Sequence, residues 1–194
     1  ELYDSRDDIA VITRSVVSKV SFLNEYTDKE KDNLGKYSSN LFTLNTFYSS
    51  IKRTIKGNTP SDSTLSFLCE YWNCVASNII QWNELNKKEI SKVDLRENYI
   101  VTQGVVIQAI GQVGSYFINN LEINIYEILK GLRNIDWRRS ASIWKNRVIR
   151  ADGKILTSNK AILLASNQIK KELGIPLLPD EELKEKRYLE SLTI

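Results

Sequence analysis

The sequence predicts a mainly α-helical (all-α class) globular domain with one short β-hairpin near residues 148–157. Three observations support this fold class. Apolar residues recur every three or four positions, only three prolines and eight glycines interrupt the chain, and serine or aspartate precedes several apolar stripes. Hydrophobic residues make up 42% of the 194 residues, which is enough to fill the core of one domain spanning residues 1–194.

Three helices are predicted in the N-terminal half. The first runs from about Asp7 to Val20, with Asp4 or Ser5 as its N-cap. A polar connection over residues 24–40, with about one turn of helix, leads to a second apolar stripe that ends at Ile55. Ser61 or Ser63 caps the third helix. The apolar face of this third helix contains Leu65, Leu68, Trp72, Val75 and Ile79.

A glycine-rich helix is predicted over residues 103–119, opened by Asp94 or Thr102. It contains Gly104, Gly111 and Gly114, and each glycine lowers intrinsic helix stability by about 1 kcal/mol relative to alanine. Glycine at this density favours close backbone contact with a neighbouring helix, and a kinked or broken helix is the alternative.

The C-terminal half is predicted to contain two or three more helices. One runs from Ile123 to Leu132, and Asp152-Gly153 then suits a type I′ turn in the hairpin. Ser158 caps a long helix that ends at Gly174, and a peripheral tail helix is expected within residues 180–194.

The composition indicates a domain that is not an enzyme by itself. The sequence contains no histidine, so it has no imidazole base, no histidine metal ligand and no Ser-His or Cys-His pair. The glycines do not match a phosphate-binding loop, and the acidic clusters lie in polar surroundings. We therefore predict no catalytic residue, no cofactor and no metal site.

Cys69 and Cys74 are predicted to be small buried hydrophobic residues in a reducing, cytoplasmic compartment. The chain begins with Glu1 and has no apolar run of the ~18–20 residues that a membrane span requires. We expect part of a longer protein that is neither secreted nor membrane-spanning.

A basic segment carries most of the positive charge. Seven basic residues between Lys130 and Arg150 face the single acid Asp136, so this segment has a charge of +6 and the remainder sums to −3. If Trp137 and Trp144 point inward, several cations can point outward beside the hairpin, an order of elements similar to winged-helix DNA readers. The residues predicted to contact DNA are Arg133, Arg138, Arg139, Lys145, Arg147 and Arg150. The alternatives are a solvated cationic face and a docking site for an acidic protein.

Several short motifs, in this order, resemble the C-terminal part of the DndB family of DNA sulfur modification proteins. The motifs are Leu2-Tyr3-Asp4-Ser5-Arg6-Asp7, Asn40-Leu41-Phe42-Thr43-Leu44, Tyr71-Trp72-Asn73 with Trp82, Leu95-Arg96-Glu97-Asn98-Tyr99 before Thr102-Gln103-Gly104-Val105-Val106, and Ile135-Asp136-Trp137-Arg138-Arg139 with Trp144. The resemblance implies a bacterial regulator that represses the operon for DNA phosphorothioate modification. The family's Asp-Gly-Gln-His-Arg motif, which lies in an N-terminal region, is absent here.

Three hypotheses follow. The first is a DNA-binding transcriptional regulator whose partner is duplex DNA of the operon promoter. The second is a protein-interaction or homo-oligomerisation module that docks onto other DNA sulfur modification proteins without touching DNA. The third is a domain that covers the active site of an enzyme whose catalytic groups lie in the absent N-terminal region.

Overall fold

The computed structural model describes residues 7–193, and in this range it confirms a mainly α-helical fold. The helices are α1 (Asp8–Lys19), α2 (Ser21–Tyr26), α3 (Leu44–Ile55), α4 (Asp62–Asn78), α5 (Ile80–Asn86), α6 (Lys92–Asn98), α7 (Gly104–Ile118), α8 (Ile125–Leu129), α9 (Asn159–Leu173) and α10 (Pro179–Ser191). Two 3-10 helices cover Lys130–Asn134 and Ser142–Trp144, and two short strands are β1 (Thr27–Asp28) and β2 (Phe42–Thr43). None of the described helices is long and apolar enough to cross a bilayer.

Helix α1 begins at an aspartate. The Asp7 carboxylate accepts hydrogen bonds from the backbone N–H groups of Ile9 (2.8 Å) and Ala10 (3.4 Å), and its second oxygen accepts the Tyr48 hydroxyl at 2.6 Å. The predicted first helix is therefore confirmed. The predicted caps Asp4 and Ser5 lie outside the described residues.

Strands β1 and β2 enclose the polar connection. They pair in parallel, Thr27 with Phe42 and Asp28 with Thr43, so residues 29–41 form a closed surface loop. The sequence predicted the polar loop and missed the pairing, because two-residue strands are too short to produce an alternating pattern.

Helices α3 and α4 begin at the side-chain caps that hydroxyl residues provide. Thr43 accepts from the Thr46 N–H, and Ser61 forms a capping box with Thr64, which confirms one of the two predicted caps of α4. Helix α3 ends where Lys56 adopts a left-handed conformation with φ of 49°.

The glycine-rich helix α7 is continuous from Gly104 to Ile118, and the separate helix α6 precedes it. The prediction that Asp94 opens the same helix was wrong, whereas Thr102 was nearly correct. An ideal Cβ on Gly111 would lie 2.3 Å from the Ser50 carbonyl oxygen of α3, so the predicted close helix contact is confirmed.

The chain reverses at the predicted hairpin, but with a different turn. Arg150 and Lys154 flank a three-residue loop in which Arg150 N donates to Lys154 O at 2.8 Å and Gly153 N to Arg150 O at 2.9 Å. Gly153 has φ of +83°, whereas Asp152 does not have a positive φ. The loop is thus typical of a type I turn followed by a left-handed glycine, and the predicted type I′ turn was wrong.

Helix α9 closes the core against α7. Ser158 caps it and Gly174, with φ of +71°, ends it, as predicted. The Arg53 guanidinium of α3 donates to Gln108 and Gln112 of α7 and to Asn159 of α9, and so joins the three helices. The predicted tail helix is α10, which packs on α9.

Candidate nucleic-acid interface

The basic segment is anchored by two stacked tryptophans. Trp137 and Trp144 are fully buried, with ring centroids 5.5 Å apart and planes 9° apart. The Trp144 indole N–H donates to the carbonyl of Asp136 at 2.6 Å. This confirms that the aromatic residues of the segment point inward, so the chain between them is held at the surface.

Pairing with the α6–α7 connection sets the direction of Arg138. Ile100 N donates to Trp137 O at 3.0 Å, and Arg139 N donates to Asn98 O at 2.9 Å. Neighbouring side chains of an extended chain point to opposite sides, so Trp137 enters the core and Arg138 is exposed. Arg138 forms a two-pronged pair with Asp136, at 2.9 and 2.6 Å, which holds the pKa of that carboxyl below its ordinary value.

Arg139 lines a cleft of about 660 Å³, which we call the Arg139 cleft. Its guanidinium is half-buried and donates through Nε (3.2 Å) and Nη2 (3.1 Å) to the carbonyl of Arg96. Arg96 in turn donates to the carbonyls of Lys36, Ser38 and Asn40, and so fixes the loop that forms the cleft wall. Burial lowers the pKa of both arginines.

Arg133 lies in a different cleft of about 470 Å³, between α4 and α8. Its side chain is exposed, and its Nε donates to the side-chain oxygen of the buried Asn78 at 2.8 Å. The structure therefore does not place Arg133 and Arg139 in one cleft.

Lys145 and Arg150 are exposed on the chain that enters the turn. Arg150 pairs with Asp152 inside the turn, its Nε lying 3.0 Å from a carboxylate oxygen, and this pairing lowers the pKa of Asp152. Like the Arg138 pair, this ion pair is local and open to solvent.

Arg147 lies in the interior, contrary to the prediction that it contacts DNA. Only 2% of its side chain is exposed, and it forms a bidentate pair with Glu185 of α10 at 2.6 and 2.9 Å. It also donates to the carbonyl of Leu164 at 2.7 Å. A phosphate cannot reach this guanidinium while α10 is in place, so Arg147 is removed from the candidate surface.

Within residues 7–193, no three histidine, cysteine or acidic side chains lie close enough together to bind a metal ion. Cys69 and Cys74 are free thiols, and burial raises the pKa of both. Cys74 is buried and Cys69 half-buried, in agreement with the predicted packing role.

Sequence reasoning missed the part that Arg96 plays. Three of the motifs that carry the family resemblance meet at the Arg139 cleft. They contribute nine of its lining residues: Leu41, Phe42, Thr43, Arg96, Glu97, Thr102, Gln103, Gly104 and Arg139. The order of these motifs was the available signal, because the charge count alone drew attention to residues 130–150.

Fold and surface together define a mainly α-helical domain that presents a cationic segment on a tryptophan-anchored loop. The family model DndB, described as DNA-sulfur modification-associated, matches residues 1–176. The chain therefore belongs to the DndB family and is associated with DNA sulfur modification. Neither the curated proteins nor the solved structures contain a match to this chain.

Proposed function

We propose that this DndB-family domain is a DNA-binding transcriptional regulator of DNA phosphorothioate modification and has no catalytic role of its own. The observation that carries the proposal is the charge of the tryptophan-anchored segment. Between Lys130 and Lys154, seven basic residues outside the core stand against two acids, a net charge of +5, since Arg147 is buried against Glu185 and is not counted. Concentrated positive charge on one segment attracts the DNA backbone and releases its counterions.

The proposed phosphate contacts are Arg133, Arg138, Arg139, Lys145 and Arg150. Arg138 and Arg150 have acidic neighbours, but exposed ion pairs contribute only about 0–1 kcal/mol, so a phosphate can replace either carboxylate at small cost. Arg139 keeps its hydrogen bonds to the Arg96 carbonyl, and its guanidinium contacts a phosphate from the edge of the Arg139 cleft. These contacts position the domain on duplex DNA without reading its sequence.

The test is a salt titration of affinity for a duplex from the operon promoter, measured by fluorescence anisotropy. The slope of log affinity against log salt is about −0.9 for each phosphate contact in duplex DNA. We expect Arg138→Ala with Arg139→Ala to make the slope shallower by about 1.8. The control pair, Lys19→Ala with Lys87→Ala, removes the same charge from exposed positions outside the segment and should leave the slope nearly unchanged.

An equal slope in the Arg138/Arg139 variant and the control would remove these arginines from the interface. If the domain does not bind duplex DNA at all, the second hypothesis takes its place. It would then be a module that binds other modification proteins or itself, and nuclease-insensitive co-purification with those proteins would identify it.

A further inference from the structure

Helix α10 buries two of its carboxylates and leaves two of its leucines exposed. Glu181, Glu185 and Tyr188 are each 5% exposed, while Leu183 and Leu189 of the same helix are 47% and 44% exposed. A surface helix normally buries an apolar stripe and exposes its charges. Apart from the buried ring of Tyr188, the hydrophobic effect therefore contributes little to the attachment of α10.

Three cations form the surface on which α10 lies, and we call them the cationic seat: Arg147, Lys170 and Lys171. The Glu185 carboxylate accepts hydrogen bonds from both Nη atoms of Arg147 and also from Lys171 Nζ at 3.3 Å. Glu181 accepts Lys170 Nζ at 2.7 Å. Two carboxylates of α10 thus face three cations.

Further contacts join the cationic seat to the basic segment. The Arg147 guanidinium lies 4.2 Å from the centroid of the Tyr188 ring, and the Tyr188 hydroxyl donates to the carbonyl of Lys145 at 2.8 Å. Lys145 and Arg150 flank Arg147 in the chain and are exposed. Removal of α10 would therefore extend the exposed cationic surface from Lys145 and Arg150 into the cationic seat.

We propose that the cationic seat is a second phosphate-binding surface, which α10 occupies in this structure and for which duplex DNA competes. The inference rests on the proposed DNA-binding function. Guanidinium groups bind carboxylates and phosphates with the same bidentate geometry, so Glu185 occupies the position of a phosphate on Arg147. The two carboxylates of α10 act as an internal competitor that lowers the affinity for DNA.

Weak attachment of α10 makes this competition feasible. Buried ion pairs lose most of their Coulomb attraction to the cost of desolvating both charges, so they attach a helix less firmly than apolar packing would. The family match ends at residue 176, and α10 lies beyond it. For the competition, α10 must open as a unit while α9 remains in the core, which is the kind of local unfolding that proteins show.

The first experiment compares two charge-matched variants of the whole chain in the anisotropy titration. Glu181→Gln with Glu185→Gln weakens the attachment of α10, whereas Glu182→Gln with Glu190→Gln removes the same charge from exposed positions of that helix. We expect the first variant to bind the duplex at least tenfold more tightly than the second. Its salt slope should be steeper by about 1.8, from the two cations that α10 buries, Arg147 and Lys170, because Lys171 is already exposed.

A second measurement uses the unsubstituted chain, so it does not depend on the folding of a variant. Hydrogen exchange of the α10 amides should accelerate when the duplex is added, and exchange in α9 should not. Equal affinity of the two variants together with unchanged α10 exchange would overturn the competition.

The two proposals fail in different ways. If DNA binding depends on Arg138 and Arg139 but not on the α10 carboxylates, the proposed function stands and the proposed competition is wrong. Binding by the Glu181/Glu185 variant alone would support the competition, and it would show that the basic segment is insufficient while α10 is attached.

Discussion

Substitution of Gly111 by alanine tests the close contact between helices α3 and α7 in the core. Helix α7 passes α3 so closely that the added Cβ would lie 2.1 Å from the Ser50 hydroxyl oxygen and 2.3 Å from the Ser50 carbonyl oxygen. The hydroxyl can rotate, but the carbonyl belongs to the backbone of α3. The two helices must separate by about 1 Å to restore ordinary contact.

The separation would also stretch two buried hydrogen bonds. Ser50 Oγ donates to the Ile107 carbonyl at 2.8 Å, and Thr54 Oγ1 donates to the Gly111 carbonyl at 2.6 Å. Overpacking costs about 1–3 kcal/mol and a stretched buried hydrogen bond about 1–3 kcal/mol, while alanine returns about 1 kcal/mol of helix propensity. We expect the free energy of unfolding to fall by about 3 kcal/mol.

Thermal unfolding followed by circular dichroism provides the assay. For a domain of this size, about 3 kcal/mol corresponds to a decrease of about 6–12 °C in Tm. Gly104→Ala is the matched control in the same helix, because its Cβ would meet nothing nearer than the Thr46 side chain at 3.7 Å. This control should unfold at the wild-type temperature or slightly above it. Equal Tm values for the two variants would refute the proposed helix contact.

Three further predictions concern polar contacts. Arg147→Ala removes the main partner of Glu185 and should detach α10, so that the fold loses less in urea denaturation than the about 3–5 kcal/mol of a charge left buried, because the freed Glu185 is hydrated; Arg147→Met with Glu185→Leu should reattach the helix. Arg53→Lys keeps the charge but cannot join three helices, so we expect a loss of about 1–2 kcal/mol by the same measurement. The Tyr48 hydroxyl lowers the pKa of Asp7, so its stabilising effect is present above the ordinary aspartate value of 3.8 and is lost as the pH falls through the lower folded pKa. The difference in Tm between wild type and Tyr48→Phe should therefore shrink as the pH falls below 3.8, and a constant difference would contradict this linkage.

Helix termini could be predicted where one residue type determines them. Ser61, Ser158 and Gly174 were identified from the sequence because capping depends on a local side chain or on a left-handed backbone. Helix α5 was missed because α4 and α5 share the extended residue Ile79 and no turn residue separates them. Such a break depends on tertiary packing rather than on local sequence.

In the candidate site, too, the features that depend on local sequence could be predicted and those that depend on distant residues could not. The inward Trp137 and the exposed Arg138 follow from alternation along an extended chain. The burial of Arg147 could not be foreseen, because its partner Glu185 is 38 residues away and belongs to a helix that looks solvent-exposed by composition. Charge counting identifies a basic segment, but it does not reveal which cations have distant partners.

The stacked indoles beneath the basic segment also give the molecule an internal optical reporter. Two chromophores with centroids 5.5 Å apart couple their electronic transitions, and this coupling adds a signal of the pair to the circular dichroism of the other buried tryptophans, Trp72 and Trp82. Ligand contacts made only by the outward arginines would preserve that signal, whereas remodelling of the loop would abolish it. A label-free spectrum can therefore distinguish simple docking from a change in the conformation of the loop.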